Sequence, residues 1–115
     1  MITNDTIEHD EVDTLTAVAR LLHHAAVCAW AQAEARGPRS PLHLLGLGIH
    51  GASCQVVAML LAGANLEGHP PAQDDVAQLL RAAEELARAI PVRDGPAGIS
   101  MLVVAICDLV REATP

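Results

Sequence analysis

Residues 40–66 read SPLHLLGLGIHGASCQVVAMLLAGANL, 27 residues without one Asp, Glu, Lys or Arg. The centre of this stretch is long enough for a helix of about 20 residues, roughly 30 Å. A helix that is apolar on nearly all sides must be buried all round, in lipid or in protein. One small protomer can hardly enclose it, so its surroundings decide the architecture.

The flanking sequence argues for protein. His43, His50 and Gln55 fall within the stretch. It has no aromatic belt and no clear positive-inside flank. Spacing of small residues such as Gly48 and Ala52 also occurs in membrane helices, but the neighbouring segments are amphipathic in the manner of a soluble bundle. We therefore expect no membrane span. A helical homodimer is expected, with this segment and one face of the helix before it, the seam Ala17, Leu21, His24, Cys28, Ala31 and Ala35, at or near the subunit interface.

The 115 residues, 51 % of them apolar, suffice for one core and one domain, 1–115. That core lacks Phe and Tyr and has a single Trp, Trp30. Ala, Leu, Val and Ile must fill it, which favours closely approaching helices. No segment sustains apolar/polar alternation. The fold class expected is all-α, a four-helix single domain in an intertwined or tightly packed homodimer.

Periodicity and breakers place the helices. Residues 1–9 read as a polar acidic arm, and helix 1 runs from about Asp10 to Arg36, stopped by Gly37-Pro38. Helix 2 runs from near Pro41 to near Gly63. Helix 3 begins at Pro71 or Ala72 and stops before Pro91, and helix 4 covers roughly Pro96 to Glu112. Helix 1 carries two seams. One is Leu15, Val18, Leu22, Ala25, Ala29 and Ala33; the other is Ala17, Leu21, His24, Cys28, Ala31 and Ala35. Two seams imply two packing partners. Helix 2 offers His43, Leu47, His50, Cys54, Val57 and Leu61 as a comparable line. Val76, Leu79, Leu80, Ala83, Leu86, Ala87 and Ile90 give helix 3 one apolar stripe. Its wet side offers the pairs Arg81–Glu85 and Glu84–Arg88.

Fourteen acidic residues against seven arginines give a net charge of −7, and lysine is absent. There is no basic stripe for nucleic acid and no polybasic segment for anionic lipid. Cys28, Cys54 and Cys107 sit in apolar segments and form no C-x-x-C pair. An odd set of that kind reads as reduced, inert thiols in a cytoplasmic protein. The acidic start MITNDTIEHDEVD is no signal peptide.

His-x-x-x-Cys occurs twice, as His24/Cys28 and His50/Cys54. Residues four apart share a helix face, so facing pairs would form a Cys2His2 set suited to zinc. This is the alternative to an expectation of no metal and no cofactor. Hydrogen-bonded interface histidines and small buried cysteines are the commoner use of such residues. The pattern is shared with small helical zinc-associated anti-sigma factors. Those carry a further cysteine where this chain has Ala31 and Val57, so the defining part is missing. Asp108 interrupts the apolar run of helix 4 and either meets solvent or pairs with Arg111 or Arg20. The polar loop residues Glu67, His69, Arg93 and Asp94 complete the candidates, since loops on a rigid scaffold often carry binding groups. No Gly-rich phosphate loop, paired-carboxylate motif or haem signature is present.

As a whole, and chiefly in DEVDTLTAVARLLHHAAVCAW and LHLLGLGIHGASCQVVAMLLAG, the chain resembles the small lysinoalanine-forming proteins of cinnamycin- and duramycin-type lanthipeptide pathways. No diagnostic motif carries the resemblance, so no functional residue is transferred. It implies a helical dimer that binds a dehydrated peptide and promotes addition of a lysine amine to dehydroalanine. Such proteins act largely by positioning, with the peptide's own hydroxyaspartate as base. A protein working this way needs no catalytic triad; orientation alone lowers a barrier by about 7–11 kcal/mol in favourable cases. The partner expected is a modified peptide, contacted by His24, His50, Glu67, His69 and Arg93. The alternatives are a non-catalytic interaction module of the immunity, antitoxin or anti-sigma kind, and the metal-binding dimer.

Overall fold

The computed structural model describes the backbone at residues 2–60, 73–91 and 98–114, with side chains from residue 12 onward. Four helices form: α1 (Ile2–Arg36), α2 (Leu42–Met59), α3 (Val76–Arg88) and α4 (Ile99–Ala113). No strand occurs among the described residues, and the class is all-α. At 1.5 Å per residue the 35 residues of α1 span about 52 Å. That length matches the 54 Å long axis of the molecule.

The helices close a ring. α1 packs on α2 and α3, and α4 packs on the same two, leaving α1 opposite α4 and α2 opposite α3. The first seam of helix 1 faces this ring's interior: Leu15, Val18, Leu22, Ala25, Ala29 and Ala33 are all buried. Ala19 and Ala26 are buried between them and widen the seam enough to serve two neighbours. The stripe of α3 is buried as its spacing predicts, with Leu86 half-buried. From α4, Ile99, Leu102, Ile106 and Leu109 complete the core.

Three boundaries differ from the sequence reading. α1 starts at Ile2, so residues 2–9 prolong the helix instead of forming an arm. α3 starts at Val76, not near Pro71, because Asp75 takes the N-cap and its side chain accepts from the Gln78 amide. α2 ends at Met59, and residues 61–63 lie outside the described ones.

Gly37 ends α1 as expected. With φ +106° it occupies the left-handed region, and its amide donates to the Ala33 carbonyl at 2.9 Å. His43 Nε2 donates to the Gly37 carbonyl at 3.1 Å and clamps the α1–α2 turn.

The uncharged helix is not buried all round. α2 buries Leu45, Gly46, Ile49, Ala52, Ser53 and Val56, whereas Leu47, His50 and Cys54 of the predicted line are exposed. A ring gives each helix two neighbours and one outer face, and only a third of α2 is buried in the chain.

Gly46 sets the close approach of α1 and α2. The Trp30 indole lies across it, and a Cβ at Gly46 would come 2.5 Å from Nε1 and 2.6 Å from Cδ1. The indole also stacks obliquely on the His50 ring, with centroids 5.7 Å apart. Gly46→Ala is therefore expected to expel the indole and destabilise the fold by about 1–3 kcal/mol, the usual cost of overpacking. Trp30 is the sole tryptophan. Its emission should shift to the red, and unchanged emission and melting would contradict the tight crossing.

Candidate functional site

At one end of the ring all four helices contribute to an open cleft of about 700 Å³. α1 supplies Gln32 and Arg36, and the start of α2 supplies Leu42, Leu44 and Leu45. Asp75, Val76 and Ala77 come from the start of α3, and Glu112 and Ala113 from the end of α4. The wall is apolar, with two carboxylates and one guanidinium among its polar groups. α1 and α4 end here and α2 and α3 start here, so each helix is antiparallel to the two it packs against, while α2 and α3, across the diagonal, run the same way. The Asp75 carboxylate is fixed by the Gln78 amide at 3.2 Å, and its own amide is held by Gln73 Oε1 at 2.9 Å. Such a cleft accepts an extended apolar segment that carries a cation.

One to two turns back along α1, the three residues that precede α3 strap onto the helix. Gln32 Nε2 donates to the Asp74 carbonyl at 3.2 Å, and His24 Nε2 donates to the Gln73 carbonyl at 3.1 Å. The same His24 nitrogen lies 3.5 Å from Cys28 Sγ and 3.6 Å from Asp74 Oδ1. Burial pushes the Cys28 thiol up from its ordinary range, and the Asp74 carboxylate adds to the rise. It is thus a thiol at neutral pH, as the reading of inert cysteines expects. The second seam of helix 1 is half-covered by this strap at His24 and Cys28, while Ala31 and Ala35 are exposed.

His50 sits elsewhere, exposed on α2 with its Nε2 3.5 Å from Cys54 Sγ. Both i,i+4 pairs therefore form, but they do not face each other. Among the described residues the one group able to converge on an ion is His24, Cys28 and Asp74. The Cys2His2 set is corrected accordingly, because His50/Cys54 lies on the outer side of α2. Cys54 is also exposed, not buried as its apolar segment suggested. Glu67, His69, Arg93 and Asp94 lie outside the described residues.

Asp108 is exposed and sits 3.9 Å from Arg111, so both of its expected arrangements are met at once. Glu84 and Arg88 pair at 3.4 Å, and the Cys107 thiol donates to Glu84 at 2.7 Å while Arg88 donates to its sulfur at 3.1 Å. This triplet clasps α3 to α4.

The sequence reading missed Asp74, Asp75, Arg36 and Glu112. Asp-Asp directly before the apolar period at Val76 is an N-cap signal that would have drawn attention to the first two. Comparison with protein-family profiles, curated proteins and solved structures finds no match.

Proposed function

We propose that this chain is a homodimeric peptide-binding protein that promotes lysine addition to dehydroalanine in a dehydrated lanthipeptide, chiefly by positioning. The supporting observation is the bundle-end cleft, whose apolar wall carries the carboxylates of Asp75 and Glu112. These suit a lysine side chain: the walls take its methylenes and the carboxylates take its ammonium. In the reaction the neutral amine attacks the dehydroalanine Cβ. The new N–C bond forms as the C=C bond is lost, and the amine proton ends on Cα. The substrate's own carboxylate takes the proton that the ammonium loses before attack and returns one to Cα, and the cleft fixes the approach.

A second copy is supported by α2. Leu44, Leu47, Gly51, Cys54 and Ala58 are exposed at alternating spacings of three and four. Such spacing is what a seam for a second helix requires. Leu44, 76 % exposed, also lines the cleft, so a partner seated on the seam would wall the site. With a net charge of −7, two copies approach best through the helix that bears none of it. α2 is also long and apolar enough to cross a membrane by length and composition, with a third of it buried in the chain.

The test is incubation with a precursor containing lysine and dehydroalanine. Cyclisation leaves mass unchanged, so the readout is resistance to fragmentation between the linked residues. Glu112→Gln and Asp75→Asn remove the charges, and asparagine preserves the N-cap. Each is expected to lower kcat/KM about 10- to 100-fold, the range of one charge-assisted hydrogen bond. Unchanged fragmentation with the wild-type chain defeats the proposal.

A further inference from the structure

We infer that His24, Cys28 and Asp74 form a site for a borderline divalent cation of the zinc and cobalt class. This inference is independent of the peptide-binding reading. The ligand atoms all lie within 4.8 Å of one another. The two separations measured from the histidine nitrogen match what a tetrahedral ion imposes. Bond lengths of about 2.3 Å to sulfur and about 2.0–2.1 Å to nitrogen and oxygen place sulfur and nitrogen about 3.6 Å apart. Nitrogen and oxygen come about 3.4 Å apart. The observed distances from His24 Nε2 are 3.5 Å to Cys28 Sγ and 3.6 Å to Asp74 Oδ1. One ring nitrogen makes both approaches, as a single ligand atom must.

The arrangement is held without an ion. Cys28 follows His24 by one helical turn, which fixes two donors on one face of α1. Gln32 grips the Asp74 carbonyl and Gln73 Oε1 grips the Asp75 amide, so the backbone bearing the third donor is tied from both sides. The third donor comes from another segment, 46 residues away from Cys28 in sequence, so the three converge only in the folded chain. The fourth position falls to solvent or to the Gln73 carbonyl oxygen, 3.1 Å from the same nitrogen.

The donor set chooses the metal. One thiolate, one imidazole and one carboxylate suit zinc or cobalt, whereas magnesium and calcium want oxygen alone. Binding deprotonates Cys28 and shifts the His24 proton to Nδ1, so the bond from Nε2 to the Gln73 carbonyl is exchanged for the bond to metal.

The experiment titrates the tag-free full chain with cobalt(II), followed by displacement with zinc. One equivalent should give visible bands of a four-coordinate ion and a near-ultraviolet thiolate-to-cobalt band. Cys28→Ser should abolish the thiolate band. Asp74→Asn, at a side chain 84 % exposed and so harmless to folding, should weaken binding at least about tenfold. Cys54→Ser combined with His50→Ala should leave spectrum and affinity unchanged. The inference is overturned if cobalt gives no such bands, if the thiolate band survives Cys28→Ser, or if it is lost with Cys54→Ser.

Discussion

Replacing Ile49 by aspartate is expected to leave a chain without a cooperative melting transition. Ile49 is fully buried at the middle of the inner face of α2. Two costs combine there. Loss of the side chain's packing costs about 2–5 kcal/mol. An uncompensated buried charge adds several kcal/mol more. A domain of this size has about 5–15 kcal/mol of stability in all. Circular dichroism should show loss of helix at 25 °C, and Ile49→Val serves as the control, at about 0.5–1.5 kcal/mol. A folded Ile49→Asp chain would refute the ring packing that places this residue inside.

Leu47→Glu, two residues earlier on the same helix, should do something different. Leu47 is 60 % exposed, so the variant should stay folded and helical. It lies in the outer seam, where a second copy would bury it twice. Each leucine contributes about 1.5–3 kcal/mol when buried. Removing both and opposing two carboxylates should raise the dimer Kd more than about 100-fold. Light scattering should report twice 12.0 kDa for the wild type and 12.0 kDa for the variant. A monomeric wild type, or one that needs detergent to stay dispersed, would sink the homodimer.

These two substitutions mark what could be read from the sequence. The inner seam of α1 was legible because Leu15, Val18, Leu22 and their successors alternate with polar residues that define the outside. The stripe of α3 was legible for the same reason. α2 has no charged residue to mark its wet face, so its spacing fixed the helix but left its rotation open. Spacing alone leaves open whether the line through Leu47 and Cys54 meets the core or a second copy; the core takes Leu45, Ile49, Ala52 and Val56 and leaves that line outside. The same ambiguity undid the Cys2His2 set. Spacing four apart correctly joined His24 to Cys28 and His50 to Cys54, but which way each pair faces is tertiary information. Asp74 reaches His24 across 50 residues, and no local pattern announces such a contact. The cleft was invisible for a related reason: its polar groups come singly from the ends of separate helices.

The ring order has a consequence for how copies of the chain can combine. α2 and α3 sit across a diagonal and do not touch, so the chain divides into two hairpins, α1–α2 and α3–α4. Each hairpin presents half of the interior to the other, and neither encloses its own. Sixteen residues, 60–75, join them, with a contour of up to about 53 Å. Nothing in the pairing of α1 with α3, or of α2 with α4, requires the two hairpins to belong to one molecule. The contacts that close one chain can equally close two by exchange, so separately made hairpins should recognise each other as complementary fragments.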